Sequence, residues 1–289
     1  MADPDGISWR SFDGLDLFAR DYRADGEVSR LPVVCLHGLT RNSRDFEDLA
    51  PILALDGRRV IVPDIRGRGR SGRSPDPRRY HPATYARDVA GLLDHLRLPQ
   101  AIFIGTSMGG LIMMALAARR SRAIAAAVLN DVGPQIDPRG IARILSYAGG
   151  AGPVATWAEA AAYARSTNAV AFPGHGDGEW LAFARRLFRE DGGAIVPDYD
   201  PAIATGLAKP PSKLTRIAAW LAFRRLARGR PTLVVRGALS DVLTADIAER
   251  MRKAAPNIAE AVVPGVGHAP MLTEPAALDA VRSFLASQP

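Results

Sequence analysis

The sequence predicts an α/β chain: a mostly parallel sheet with helices on both faces, interrupted once by a helical insertion. Three observations carry this prediction. Short apolar runs alternate with helical stretches up to about Leu129. The alternation stops near Gln135 and resumes at Pro231. Hydrophobic residues make up 47% of the 289 residues and charged residues 23%, enough apolar material for a sizeable core.

The elements follow in order. Leu31–Leu36 reads as a valine-rich strand ended by His37-Gly38, and Arg59–Pro63 as the next strand. Ala83–Leu96 places Tyr85, Val89, Leu92, Leu93 and Leu96 at helical spacing and stops before Pro99. Ala101–Ile104 is a strand. Met108–Ala118 is almost wholly apolar, as a helix buried against a sheet must be. Ala123–Leu129 is the following strand. After the interruption come strand Pro231–Arg236, helix Thr244–Ala255, strand Glu260–Val263 and helix Pro275–Leu285.

The insertion, residues 135–213, divides the core into 1–134 and 214–289. Its stretches read as helices broken by Gly149-Gly150, Pro173-Gly174, Pro197 and Pro210-Pro211, with no strand expected. It holds 8 of the 19 aromatics: Tyr147, Trp157, Tyr163, Phe172, Trp180, Phe183, Phe188 and Tyr199. Some of these pack a small helical core; as a cap, the insertion would turn others toward a pocket.

No apolar run reaches the length of a membrane span, and the acidic start Met1-Ala2-Asp3-Pro4-Asp5 lacks the order of a signal peptide. A cytoplasmic protein without a membrane partner is expected. Cys35, the single cysteine, lies between Val34 and Leu36 and reads as a buried strand residue. The net charge is +7, and nearly all of the positive charge is arginine scattered along the chain. With no basic arm and no basic patch interleaved with aromatics, nucleic acid is not an expected partner.

Gly105-Thr106-Ser107-Met108-Gly109 fits Gly-x-Ser-x-Gly between an apolar strand and an apolar helix, the context a nucleophile elbow needs. A serine hydroxyl requires a base within reach. Among five histidines, His268 stands in the glycine-rich loop Val263-Pro264-Gly265-Val266-Gly267-His268-Ala269-Pro270 after the last strand, where such sheets place their sites. His95 lies in a helix and His81 precedes a proline. His175 lies beside Asp177, a pair that lacks further metal ligands. An acid must orient the base. Asp241 and Asp131 both follow strands and both keep the order Ser, Asp, His; Asp241 is preferred and Asp131 is the alternative. Backbone N–H groups of Met108 and Leu39 are the expected oxyanion donors, with His37 holding the Leu39 loop.

Taken together, His37-Gly38-Leu39, Asp64-Ile65-Arg66-Gly67-Arg68-Gly69-Arg70-Ser71, Gly105–Gly110, Asp241 and Gly267-His268 resemble the α/β-hydrolase superfamily over nearly the whole chain. The resemblance implies eight strands, mostly parallel, with a cap between strands six and seven. Gly67-Arg68-Gly69-Arg70-Ser71-Gly72 also fits a dinucleotide fingerprint, but Ser74-Pro75-Asp76-Pro77 follows where a helix should start, so no cofactor is expected. Ser107 stands where related dehalogenases and epoxide hydrolases carry aspartate, and Leu39 where cofactor-free haloperoxidases usually carry tryptophan. Thr106 stands where ring-cleavage C–C hydrolases often carry asparagine. The resemblance thus implies a serine esterase or lactonase, and the cap aromatics suggest a small to medium, largely apolar acyl or alcohol group; no metal or cofactor is expected. A C–C hydrolase of vinylogous diketones is the nearer alternative, and a non-catalytic ligand receptor on the same fold the more distant one.

Overall fold

A computed structural model describes residues 4–24, 30–205 and 212–289. Its main sheet is built from β1 (Asp5–Arg10), β2 (Asp16–Tyr22), β3 (Val33–Leu36), β4 (Val60–Asp64), β5 (Ala101–Thr106) and β6 (Ile124–Asn130). After the insertion, which holds β7 (Phe188–Asp191) and β8 (Ala194–Pro197), it is completed by β9 (Thr232–Gly237) and β10 (Ile258–Val263). The order is β1-β2-β4-β3-β5-β6-β9-β10. Pairing is antiparallel for β1 with β2 and β2 with β4, and parallel from β4 to β10. The eight strands and the break between the sixth and seventh strands of this sheet match what the resemblance implies.

Side-chain alternation decides which layer each strand residue enters. Val34, Leu36, Ile61, Phe103, Ala127 and Leu129 face one layer; Val33, Cys35, Val60, Val62, Ile102, Ile104, Ala126 and Val128 face the other. The first layer is covered by α2 (Pro82–His95), α3 (Met108–Arg120), α7 (Lys213–Ala227) and α8 (Ala245–Ala254). The second is covered by α1 (Leu49–Leu55) and α9 (Pro275–Ala286). Cys35 is buried as expected, and burial pushes its thiol far above the ordinary range.

The N-terminal hairpin escapes a reading of periodicity because β1 is an exposed edge strand with Trp9 alone fully buried. Asp13-Gly14, between β1 and β2, is the turn signal that marks it.

Between β6 and α7 lie α4 (Pro138–Tyr147), α5 (Trp157–Asn168) and α6 (Asp177–Leu187), with α5 packed on α6. The expectation of a wholly helical insertion is corrected here. β7 (Phe188–Asp191) and β8 (Ala194–Pro197) form a hairpin. Its two-residue loop, Gly192-Gly193, has φ of 58° and 84°, which a primed turn demands and glycine adopts freely. Pro197 therefore ends a strand rather than breaking a helix. Lys209 and Pro210-Pro211 fall outside the described residues. Helix α7 begins at Lys213, one residue before the expected boundary, and packs on α3.

The insertion is tied to the rim of the sheet. Arg44 and Asn42 hold the Asp198 carboxylate at 2.6 and 3.0 Å, and Arg186 bridges to Glu47 and Asp48. The Gly67–Gly72 segment is a closed turn: the Gly67 N–H donates to the Gly72 carbonyl, and Asp64 accepts from the Arg70 N–H. Among the described residues no helix is long and apolar enough to cross a membrane.

Candidate active site

Ser107 sits between the end of β5 and the start of α3 with φ 51°. A non-glycine residue in that region costs roughly 1–3 kcal/mol, which the packed elements around it must offset. Glycine at 109 is obligatory for the close approach, since a Cβ there would run into the Leu36 carbonyl of β3. The tight strand–helix junction lifts the hydroxyl out of the sheet.

His268, in the loop after β10, is buried. Its Nε2 lies 2.9 Å from the Ser107 Oγ and its Nδ1 2.8 Å from the Asp131 Oδ2. The two bonds fix one tautomer: Nδ1–H donates to the carboxylate, and Nε2 accepts from the serine. Asp131 follows β6 directly, is fully buried and has φ 54°. Its Oδ1 accepts from the Gly237 N–H at 2.9 Å, and its Oδ2 also accepts from the Ser240 hydroxyl at 2.6 Å. Three donors thus saturate a carboxylate enclosed by β6, β9 and the His268 loop.

The preference for Asp241 is corrected by this geometry. Asp241 receives the Arg143 guanidinium in a two-pronged bond, at 2.6 and 2.8 Å, and makes none with His268. Burial works to raise its pKa, but the Arg143 hydrogen bond and charge outweigh it and hold the carboxyl below the ordinary range. Arg143 belongs to α4, so Asp241 fastens the insertion to the β9 turn. The alternative acid, Asp131, is the one brought to His268.

The expected oxyanion donors lie beside the nucleophile. Leu39 lines the cavity that reaches Ser107, and a Cβ placed on Gly38 would stand 4.0 Å from the Ser107 Cβ. Met108 opens α3, where a helix leaves its first N–H groups without intrahelical acceptors. His37 is fully buried; its Nδ1 bonds the Gly38 carbonyl at 2.8 Å and its Nε2 accepts from the Ile65 N–H at 3.0 Å. Burial pushes its pKa down to about 3, so it is a neutral strut, as expected.

Two contributors were not legible in the sequence. Ser240 holds Asp131 while its own oxygen accepts the Val242 and Leu243 N–H groups. Arg68, in the Gly67–Gly72 turn, is buried beneath the Leu39 and Met108 segments. It donates to the Leu39 carbonyl at 2.9 Å, the Met108 Sδ at 3.4 Å, the Arg66 carbonyl and the Tyr85 hydroxyl. Among the described residues it forms no ion pair with a carboxylate; its guanidinium lies 5.0 Å from the Tyr85 ring centroid, and the one cation braces both segments. No local pattern announces either role, because each depends on residues far along the chain.

The remaining histidines stand elsewhere. His81 caps α2 and His95 ends it. His175 stacks on Phe172, with ring centroids 4.6 Å apart, and Asp177 pairs with Arg165. The insertion's aromatics divide as the two readings allow: Phe172, Trp180 and Phe183 pack together. Tyr147 reaches the Ser107 cavity, a narrow space of about 40 Å³ that Arg41, Asp45, Ile144, Asn168 and Met271 also line. Tyr163, Phe188 and Tyr199 line an adjoining space that shares Thr40, Arg41, Tyr147 and Asn168 with it.

A serine, a histidine and an aspartate joined in series at the carboxyl ends of a parallel sheet, with the serine on a strand–helix elbow, is the arrangement of the alpha/beta hydrolases. This chain belongs to that family, matching the alpha/beta hydrolase fold over residues 32–275. It is 35% identical over 259 residues to a 3-hydroxybutyrate-oligomer hydrolase of Cupriavidus necator, covering 87% of each chain. A crystal structure of an alpha/beta hydrolase from Novosphingobium aromaticivorans is 42% identical, with TM-score 0.90 and 99% of each chain covered. The structure of an E-2-(acetamidomethylene)succinate hydrolase is 25% identical with TM-score 0.79, covering 98% of this chain and all of that one. The chain is an enzyme of the alpha/beta hydrolase class.

Proposed function

We propose that this chain is a serine hydrolase that cleaves a carboxylic ester or lactone through an acyl-enzyme. The observation that carries the reading is the series Ser107 Oγ, His268 and Asp131, closed at 2.9 and 2.8 Å. Ser107 attacks the ester carbonyl while His268 Nε2 takes its proton. Asp131 fixes the tautomer and stabilises the imidazolium that forms. The Leu39 and Met108 N–H groups receive the developing oxyanion, braced by Arg68. His268 then returns the proton to the leaving alcohol, a water enters, and His268 activates it to release the acid.

The insertion acts as a cap over this site. The cavity's mixture of Tyr147, Ile144 and Met271 with Arg41, Asp45 and Asn168 suits a substrate of modest size with polar as well as apolar parts. Similarity to a 3-hydroxybutyrate-oligomer hydrolase makes short hydroxy-acid oligoesters a substrate class to assay.

The test is hydrolysis of p-nitrophenyl esters of increasing acyl length, and of 3-hydroxybutyrate oligomers, by the native chain and by Ser107→Ala. Ester turnover that depends on chain length and is lost in the variant is the expected result. Undiminished turnover in Ser107→Ala would sink the acyl-enzyme. Turnover of a vinylogous diketone with none of esters would move the assignment to C–C hydrolysis.

A further inference from the structure

The charge of this chain is distributed unevenly in a way its arginine count conceals. From residue 201 to residue 240 there is no Asp or Glu, while Lys209, Lys213, Arg216, Arg224, Arg225, Arg228, Arg230 and Arg236 fall within that stretch. The rest of the chain balances, with 29 Lys and Arg against 30 Asp and Glu. The whole net charge of +7 therefore traces to one segment.

The fold puts four of these eight cations on one helix with an exposed outer face and two more just beyond its end. Lys213, Arg216, Arg224 and Arg225 lie on α7 and Arg228 and Arg230 just beyond it; among the described residues none of the six forms an ion pair, although Arg59, Arg66, Arg143 and Arg186 elsewhere all do. The inner face of α7 is spent on the core through Phe223, Leu226 and Ala227. Its outer face carries Leu214, Ile217 and Leu221, with 78%, 48% and 58% of their surface exposed. The spacing of three and then four residues aligns them in one stripe along the helix. Arg225 and Arg230 donate to backbone carbonyls. That leaves Lys213, Arg216, Arg224 and Arg228 beside these large aliphatics, a combination that suits a partner accepting both charge and apolar surface.

We infer that the outer face of α7 docks on an anionic phospholipid surface, with Leu214, Ile217 and Leu221 entering the headgroup–acyl boundary and the surrounding cations meeting phosphate. Such a surface supplies negative charge and apolar depth together. A second copy of the chain fits poorly, because a two-fold interface would set this positive face against itself. Three side chains also fall far short of the roughly 20–30 residues per side of a standard protein interface. Nucleic acid would use the cations and leave the aliphatics in water, and on this helix Phe223 is buried and Trp220 is packed against it.

The placement has a consequence for access to the site. Arg225 Nε donates to the Ala117 carbonyl near the far end of α3, and the chain enters β9 shortly after α7 ends. The N-terminal turns of α7, which carry Leu214 and Ile217, therefore point toward the end of the sheet that holds Ser107. A chain docked through α7 keeps its site near the lipid surface. The expectation of no membrane partner rests on the absence of a spanning run and of a signal-peptide order, and neither excludes a docked face.

The test is co-sedimentation of the full chain with vesicles of phosphatidylglycerol and phosphatidylcholine, compared with phosphatidylcholine alone, at low and at high salt. Binding at least tenfold stronger to the anionic vesicles, and released by salt, is expected. Arg216→Gln with Arg224→Gln and Arg228→Gln should weaken it at least tenfold. Leu214→Ser with Ile217→Ser and Leu221→Ser should weaken it at least threefold. All six sites are exposed, and an unchanged melting temperature shows that each variant folds. Ser107→Ala should bind as the native chain does, which separates docking from catalysis. Failure to bind anionic vesicles, or binding that neither triple variant weakens, overturns the inference. So does a solution dimer that the Leu214, Ile217 and Leu221 substitutions split, since the face would then join two copies.

Discussion

The turns after β6 and β9 offer the same ingredient and use it differently. These strands are neighbours in parallel register, and each is followed by an aspartate at the same end of the sheet. Asp131 comes directly after Asn130, the last residue of β6, and its positive φ turns the carboxylate into the crevice beside His268. Asp241 comes four residues after Gly237, beyond a turn closed by the Ser240 N–H on the Gly237 carbonyl. That turn sends Ser240 back toward Asp131 and carries Asp241 outward to Arg143. A strand-end acid is thus not defined by its strand alone: the residues between strand and acid decide whether it meets the base or the cap.

The largest effect that can break this comparison is on Asp131. Asp131→Asn keeps the shape but cannot hold the required histidine tautomer, and kcat should fall by roughly 10³–10⁴. Asp241→Asn should leave kcat within about tenfold. Steady-state kinetics on one ester checks both, and the reverse ranking would restore Asp241 as the acid. Ser240→Ala is next: one of three donors to the Asp131 carboxylate is lost, and kcat should fall roughly tenfold with KM little changed, on the scale of one hydrogen bond to a charged group.

A smaller effect belongs to stability. Breaking the Arg143–Asp241 pair, which is partly exposed, should cost on the order of 1 kcal/mol in chemical denaturation. A double variant at both positions should be little worse than either single one. Acid titration sharpens the same contrast. Asp241 has a lowered pKa in the folded chain, so its stabilisation is complete above the ordinary carboxylate range and fades as pH falls through and below about 4. His37 is buried neutral, with its pKa pushed from the ordinary 6.5 to about 3. Its unfolded form takes up the proton first, so its contribution is complete above 6.5 and is lost below it, at up to about 1.4 kcal/mol per pH unit. Thermal melts from pH 7.5 to 3.5 should show the decline beginning near 6.5. His37→Gln should flatten the upper part of that decline, and Asp241→Asn only the part near and below pH 4.

Local pattern carried most of the fold. Strand alternation in Val33–Leu36 and Ala101–Thr106 assigns each side chain to a layer by itself, because the period of two is built into the backbone. The elbow was legible for the same reason: Gly105, Ser107 and Gly109 act within one tight turn. Gly192-Gly193 was an equally local hairpin signal, obscured by the helical stretches around it.

What the sequence determined by itself is therefore whatever a few adjacent residues can enforce: the layers of the sheet, the elbow at Ser107, the position of His268 in a glycine-rich loop, and an uneven charge that can be counted. Only the tertiary structure chose Asp131 over Asp241, gave Arg68 its place beneath Leu39 and Met108, and aligned the α7 cations with the exposed aliphatics. His268 and Asp131 are 137 residues apart, and Arg143 and Asp241 are 98 apart. Their pairing is set by how two turns and a helix pack in space, a balance of burial and charge that no short stretch of sequence contains.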